Sequence, residues 1–247
     1  MFPTLRGKMS HLVVFGLILI CCHARIIEKN DQIAPIDEQA NKVEKFLEDF
    51  KTKMKTGDEE LGLPILDPFV MKEVPLKVDE EMIKVDGFLT NLRVDSLSEY
   101  NVLSGNFQLI GLKFSMNLSW PQIVASTDYA IDATVNDFEI YGKGKIDVAA
   151  HDFVFGTTVT LVVNGKYLKV KSLSSKFSLK ALDFKITGLF NDEEVSEVIS
   201  SVISDIVPEF INNYQDQLAQ QVDALLTKQL DAFLATKTIG DLLRMFG

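Results

Sequence analysis

Beyond its first 24 residues this chain has no cysteine and a single histidine, His151. Cys21, Cys22, His11 and His23 all fall inside that opening stretch. Without a thiol there is no cysteine nucleophile, no zinc–thiolate site and no disulfide framework, and one imidazole cannot build a multi-histidine metal centre. The Gly-x-Ser-x-Gly nucleophile elbow is missing too. His151 stands in a strand-like run with Ala149, Ala150, Phe153 and Phe155, so it reads as an ordinary strand histidine. No catalytic residue, metal or cofactor is assigned, and an enzyme is not expected.

Positive charge is also scarce: 25 Lys and Arg stand against 35 Asp and Glu, a net charge of −10. Nucleic acids and anionic membrane surfaces are bound by basic patches that displace counterions, and an acidic chain lacks them. Carboxylate groups such as Asp79 with Glu80 fall in apparent turns and read as solvated charge. No apolar run is long enough to span a bilayer. The one from Leu12 to Cys22 is about half the ~20 residues required. With Arg6 and Lys8 before it and Cys22-His23-Ala24 after it, it reads as a secretory signal over residues 1–24. Residues 25–247 are then expected as one secreted domain, large enough to build a core without disulfide staples.

The remainder divides into a short helical start, a long strand-rich middle and a helical end. After a polar lead-in from Arg25 to Pro35, a helix opens at Asp37 with Ala40, Val43, Leu47, Phe50 and Met54 on one face. Lys51, Lys53 and Lys55 lie in its last turn and Gly57 ends it. The stripe is read as packing on the sheet. The segment Leu61 to Phe69 holds Pro64 and Pro68 and is extended. Alternating patterns follow through Val74-Leu76-Val78, Ile83-Val85, Phe88 to Val94, Tyr100 to Ser119 and Tyr129 to Val135, with a turn expected at Tyr141-Gly142-Lys143-Gly144. Phe153 to Val163 reads as a strand buried on both faces or crossing between environments. Asn164-Gly165 is the best hairpin signal. Connections this short leave no room for crossover helices, so the sheet is antiparallel.

Asp192-Glu193-Glu194 opens the helical end. Val195, Val198, Ile199, Val202, Ile203 and Ile206 form a first helix, expected to end or kink at Pro208. A second, long helix from Glu209 to Ala235 carries Phe210, Ile211, Tyr214, Leu218, Val222, Leu225, Leu226 and Phe233 on one face. If continuous it spans about 40 Å.

These residues resemble the insect takeout and haemolymph juvenile-hormone-binding family. Gly62-Leu63-Pro64 with Leu66-Asp67-Pro68 is similar to its early Gly-x-Pro and Asp/Glu-Pro segment, and Asn91 to Leu97 with Tyr100 to its Asn-x-x-Val-x-Gly-Leu-x-x-Phe/Tyr stretch. Tyr141 to Gly144 is similar to its Gly-x-Gly turn, and Leu189-Phe190-Asn191 to its Leu-Phe-x-Gly segment. No one of these is specific; their order over about 180 residues carries the resemblance. The chain departs from the pattern by lacking the family's N-terminal cysteine pair, which the mite group 7 allergens of the wider superfamily are also poor in, and by Ser96 where Gly is usual. The resemblance implies an α+β fold in which a long C-terminal helix is wrapped by a strongly curved antiparallel sheet. An elongated apolar cavity is enclosed, and the N-terminal helix is additional.

The implied function is carriage of a small hydrophobic ligand: a terpenoid such as juvenile hormone, a fatty acid derivative or a carotenoid. The alternative is a secreted, non-enzymatic interaction or signalling protein with a filled core and an unknown receptor. The aromatic candidates for a cavity lining are Phe107, Phe114, Tyr129, Phe138, Phe153, Phe155, Phe177, Phe184, Phe210 and Tyr214, each of which plain core packing would also explain. Gln229, placed by the helical wheel near the centre of the apolar face, is a candidate to meet a ligand's polar end. Asn117-Leu118-Ser119 is an N-glycosylation sequon, so Asn117 is a candidate acceptor.

Overall fold

The computed structural model describes residues 36–58, 63–80 and 82–246. The signal segment, its cleavage site, the lead-in and Leu61-Gly62 lie outside the described residues.

The amphipathic start forms α1, Ile36–Thr56. It buries Val43, Phe46, Leu47, Phe50 and Met54. Gly57 ends it in a left-handed conformation (φ 72), donating its N–H to Lys53 O at 2.8 Å. As expected, α1 lies on the sheet. A Cβ on Gly105 would stand 2.8 Å from Val43 Cγ1, so the bare glycine is what allows the helix to approach this strand.

Seven strands make one antiparallel sheet: β1 (Phe69–Glu80), β2 (Ile83–Asp95), β3 (Asn101–Gln108), β4 (Lys113–Val135), β5 (Phe138–Asn164), β6 (Tyr167–Ser178) and β7 (Ala181–Ile186). The path runs β1-β2-β4-β5-β6, with β3 also on β4 and β7 also on β5. The sheet is antiparallel and is followed by C-terminal helices, as expected, and it does not close on itself. The predicted run Tyr100 to Ser119 is two strands, separated by a turn at Leu109–Leu112.

Two long partners dominate. β4 and β5 pair from Lys113↔Thr160 to Val135↔Phe138 without a slip in register. Their connection is Asn136-Asp137, both left-handed (φ 50 and 68), a two-residue hairpin of the kind that suits twisted strands. The expected turn at Tyr141–Gly144 is therefore wrong; these residues lie inside β5. Their glycines serve close approach: a Cβ on Gly144 would stand 2.1 Å from Thr187 O, and one on Gly142 would stand 2.9 Å from Leu189 Cα. Asn164-Gly165 is a hairpin as expected, with Gly165 and Lys166 between β5 and β6.

The helical end is α2 (Glu193–Asn213), α3 (Gln215–Leu234) and α4 (Ile239–Phe246). Asp192 caps α2, accepting from the N–H groups of Glu194 and Val195 at 2.9 and 3.1 Å. The break comes at Tyr214 (φ −108, ψ 20) and not at Pro208, which sits buried inside α2. A proline removes one helical N–H but need not end a helix that packing holds in place. Hydrogen bonds Tyr214 N–H to Phe210 O and Leu218 N–H to Tyr214 O, 2.9 and 3.0 Å, carry the chain across the junction. Together α2 and α3 extend about 60 Å at 1.5 Å per residue.

Candidate functional site

Strand alternation sorts the sheet into two differently packed ends. From Lys113 to Trp120, β4 buries its even residues Phe114, Met116, Leu118 and Trp120. These join Phe107 of β3, Val159 and Leu161 of β5, and Leu168 and Val170 of β6, under Val43, Leu47 and Phe50 of α1 and Leu226, Leu230 and Leu234 of α3. This proximal core is closed. Tyr100 is locked into it, donating to Leu47 O at 2.5 Å and meeting the Trp120 ring edge-on at 5.4 Å. Burial pushes its phenol well above the ordinary tyrosine range, with Glu48 adding to the shift.

Past Pro121, opposite the left-handed Asp152 (φ 50), the buried set changes from even to odd: Thr127, Tyr129 and Ala133. The register places Val85 and Leu89 of β2, and Ile140, Ile146 and Val148 of β5, on the face of Tyr129 and Ile131. Val74, Leu76 and Val78 of β1 and Leu182, Phe184 and Ile186 of β7 extend it. Most of these are only half-buried, whereas the same residue types in the proximal core are sealed. The distal sheet thus presents a broad apolar floor that its own chain covers incompletely. A concavity of ≈ 770 Å³ crosses these strands and takes its lining from both faces, Val78, Val85, Ile131 and Ala133 from the apolar floor and Lys77, Asp86, Phe88 and Asp132 from the opposite one. Tyr129 is fixed in the floor by donating to Thr187 O at 2.9 Å, and burial raises its pKa, with Glu193 adding to the effect.

Beside this floor α2 is attached to the edge strand β7, and the way it is attached decides which face it offers. Its serines recur every four residues. Ser196, Ser200 and Ser204 accept the N–H groups of Leu189, Ile186 and Phe184 at 3.0, 3.0 and 2.9 Å. Each hydroxyl also lies near the carbonyl of that same edge residue, at 3.3–3.4 Å. The carbonyl one turn back along the helix is closer, at 2.7, 2.6 and 2.9 Å. One proton cannot serve both, so the helix carbonyl takes it and the free lone pair receives the strand N–H. Asn212 continues the row on Leu179, exchanging bonds of 3.4 and 3.1 Å. Asp223 and Asp231 of α3 do the same for Ser175 N and Val170 N at 3.3 and 2.8 Å. The two helices therefore cover the open edge of β7 and β6 with polar side chains in place of a further strand.

Because hydroxyls hold α2 on the sheet, its apolar residues need not. Val195, Ile199 and Ile203 are half-buried, on the flank where Phe184 and Ile186 are also half-buried. Val198 and Ile206 are 62% and 55% exposed. A stripe of this kind left open is the unusual feature of the molecule, since apolar helix faces are ordinarily spent on the core.

The aromatic candidates do not form one lining. Phe107 and Phe114 belong to the proximal core, with Phe153 and Phe155 packed against it. The Phe153 ring lies 5.8 Å from that of Trp120. Phe177 is half-buried opposite Phe155. Tyr129 and Phe184 lie on the distal floor. Phe138 is 76% exposed beside the β4–β5 turn, outside any enclosed space, because the hairpin ends there. Phe210 and Tyr214 stack at 4.7 Å and are 43% and 49% exposed, near the break between α2 and α3. Gln229 is half-buried on the flank of α3; the buried row is Leu226, Leu230 and Leu234, so the wheel misplaced its centre. His151 Nε2 lies 2.8 Å from Asp183 Oδ2 across β5 and β7. Among the described residues no His, Cys, Asp and Glu cluster could hold a metal, and no helix is long and apolar enough to cross a membrane. The sequence pattern showed the apolar residues of α2, and Val85 and Ile131 within strands, without assigning them, or Leu89, Ile146 and Val148, to a site. The four-residue recurrence of serine beside Val198, Val202 and Ile206 was the available signal.

The model of the haemolymph juvenile hormone binding protein family matches residues 15–244. The chain belongs to this family. Among solved structures it is similar to Takeout 1 of Epiphyas postvittana, with 13% identity over 82% of this chain and 95% of that one, at a TM-score of 0.57. That likeness shows the fold. A lipopolysaccharide binding protein is matched at 12% identity over 82% of this chain and 39% of that one, with a TM-score of 0.36. No curated protein matches in sequence. The family is one of hydrophobic-ligand carriers.

Proposed function

We propose that residues 25–247 form a single secreted domain that carries a small hydrophobic molecule in extracellular fluid such as haemolymph. A terpenoid of the juvenile hormone kind, a fatty acid derivative or a carotenoid would suit it. The ligand lies along the distal floor against α2, which closes over it to make an elongated apolar cavity. The observation that supports this reading is the half-buried apolar sheet face beside the half-buried Val195, Ile199 and Ile203 of α2, with Val198, Val202 and Ile206 exposed farther round the same helix. Covering about 400 Å² of ligand at about 25 cal/mol per Å² yields about 10 kcal/mol before several kcal/mol of association cost. Micromolar binding follows from apolar burial alone, and a tighter complex needs a polar contact as well.

The test is uptake of a fluorescent apolar probe by delipidated protein and its stoichiometric displacement by long terpenoids or fatty acids. Folded protein that takes up neither probe nor lipid would leave the alternative, an interaction protein whose closed interior is complete without a ligand.

A further inference from the structure

We propose that Asn117 carries an N-linked glycan and that the outer face of the proximal sheet is the surface on which it rests. Asn117 and Ser119 are odd residues of β4, on the face opposite the core residues Met116, Leu118 and Trp120. The acceptor is half-exposed, and its side-chain amide makes no hydrogen bond to the side chain of another described residue. Its amide lies over Gly156 of β5, where a Cβ would be 3.4 Å from Asn117 Oδ1 and any longer side chain would fill the space beside it. The strand neighbours in this row are Ser104 on one side and Gly156 then Lys176 on the other.

A concavity of ≈ 450 Å³ opens there, lined by Ser104, Ser115, Asn117, Thr158, Ser174 and Lys176 among others. Hydroxyls and one ammonium are what a sugar's hydroxyl and acetamide groups can bond to. A sequon on a paired strand ordinarily counts against modification, because a bulky glycan needs an open surface. This one has that surface, since α1 and α3 cover the other face. The glycan would also shield this polar sheet face from a second copy.

The inference rests on the secretory route proposed above and not on the ligand. The full chain is expressed in insect cells and the product is mapped by mass spectrometry before and after peptide-N-glycosidase treatment. The expected result is secreted protein with a glycan at Asn117, absent from Ser119→Ala, which retains the asparagine. Secreted, folded protein with unmodified Asn117 would overturn the modification. Protein retained unglycosylated in cells would overturn both it and the secretory route, while probe uptake by that material would leave the carrier reading standing. The resting surface is tested by acetylation of lysines. Lys176 should react several-fold more slowly in the glycosylated form than in the enzyme-treated form, with Lys77 of β1 unchanged. Equal rates at Lys176 would mean that the glycan swings free of the sheet.

Discussion

At its proximal end the β4–β5 pair sets Leu118 and Val159 beneath α1 and α3 and leaves no space. At its distal end the same two strands present Ile131 and Ile146 to a helix that reaches them only from the sheet edge. The strands run continuously through both places. What differs is how the helix is attached: α3 inserts Leu226, Leu230 and Leu234 into the core, whereas α2 spends Ser196, Ser200 and Ser204 on backbone groups and keeps its valines and isoleucines out. One end is built for stability and the other holds apolar surface in reserve. In the proposed reading, a ligand at the distal end would complete burial that the chain itself leaves undone.

Truncation at the two ends should therefore have opposite signatures. Leu118→Ala, at a fully buried position, should cost about 2–5 kcal/mol of folding stability and leave ligand affinity nearly unchanged. Ile206→Ala should cost under about 1 kcal/mol in the ligand-free protein, since an exposed methyl group contributes little, yet weaken an apolar ligand by several-fold. Denaturant unfolding with and without ligand measures both. Equal stability costs would mean that α2 packs as a core helix and that the contrast is false.

The edge row is the next point to break. Ser200→Ala removes the acceptor of Ile186 N–H and should cost about 1–2 kcal/mol. Its sharper signature is local: amide exchange at Ile186 and Phe184 should accelerate while Leu118 keeps its protection. Uniform acceleration throughout β4 and β5 would show that the row supports the whole fold and not the distal end alone.

The tyrosines extend the contrast to pH. Tyr100 keeps its proton in the folded state to a pH well above its unfolded value of 10.0. The folded protein then binds more protons than the unfolded chain above that pH, so stability falls as pH rises through it, by at most about 1.4 kcal/mol per unit for one group. Tyr100→Phe should be less stable at neutral pH by about 1 kcal/mol, having lost its bond to Leu47 O, but should show a shallower decline above pH 10. An unchanged alkaline slope would place the titrating group elsewhere.

Much of the architecture was legible because hydrophobic period and turn chemistry are local. Val43, Leu47, Phe50 and Met54 announced α1, Asn164-Gly165 announced its hairpin, and Asp192 announced the start of α2. The misreadings came from residues whose roles are set by distant partners. Gly142 and Gly144 looked like a turn because glycine in a close approach to Thr187 and Leu189 has the same sequence signature as glycine in a bend. Pro208 looked like a terminator because the packing that retains it in a helix is tertiary. The aromatic residues were visible, but the change of buried parity at Pro121 and Asp152, which sends Phe114 to the core and Tyr129 to the distal floor, was not. Alternation gives two faces without saying which is covered.

The smallest expected effect concerns two left-handed residues, one beside each end. Ser96, where the resemblance leads one to expect glycine, has φ 68, and Asn191 before α2 has φ 56. Ser96 is held there because its N–H donates to Asp67 Oδ1 at 2.9 Å, and Ser98 N–H donates to Asp67 Oδ2 at 2.9 Å. For serine the left-handed well costs about 1–2 kcal/mol, while glycine gives back about 0.5–1 kcal/mol through the greater freedom of its unfolded state. Both backbone bonds survive the substitution, so Ser96→Gly should stabilise the protein by about 0.5 kcal/mol. Asparagine tolerates this conformation, so Asn191→Gly has no strain to relieve and should be neutral or slightly destabilising. Paired denaturation midpoints for the two variants decide the matter. A loss of stability in Ser96→Gly as large as that in Asn191→Gly would mean that the Asp67 carboxylate already offsets the strain at Ser96, and that the departure from glycine there has no energetic cost.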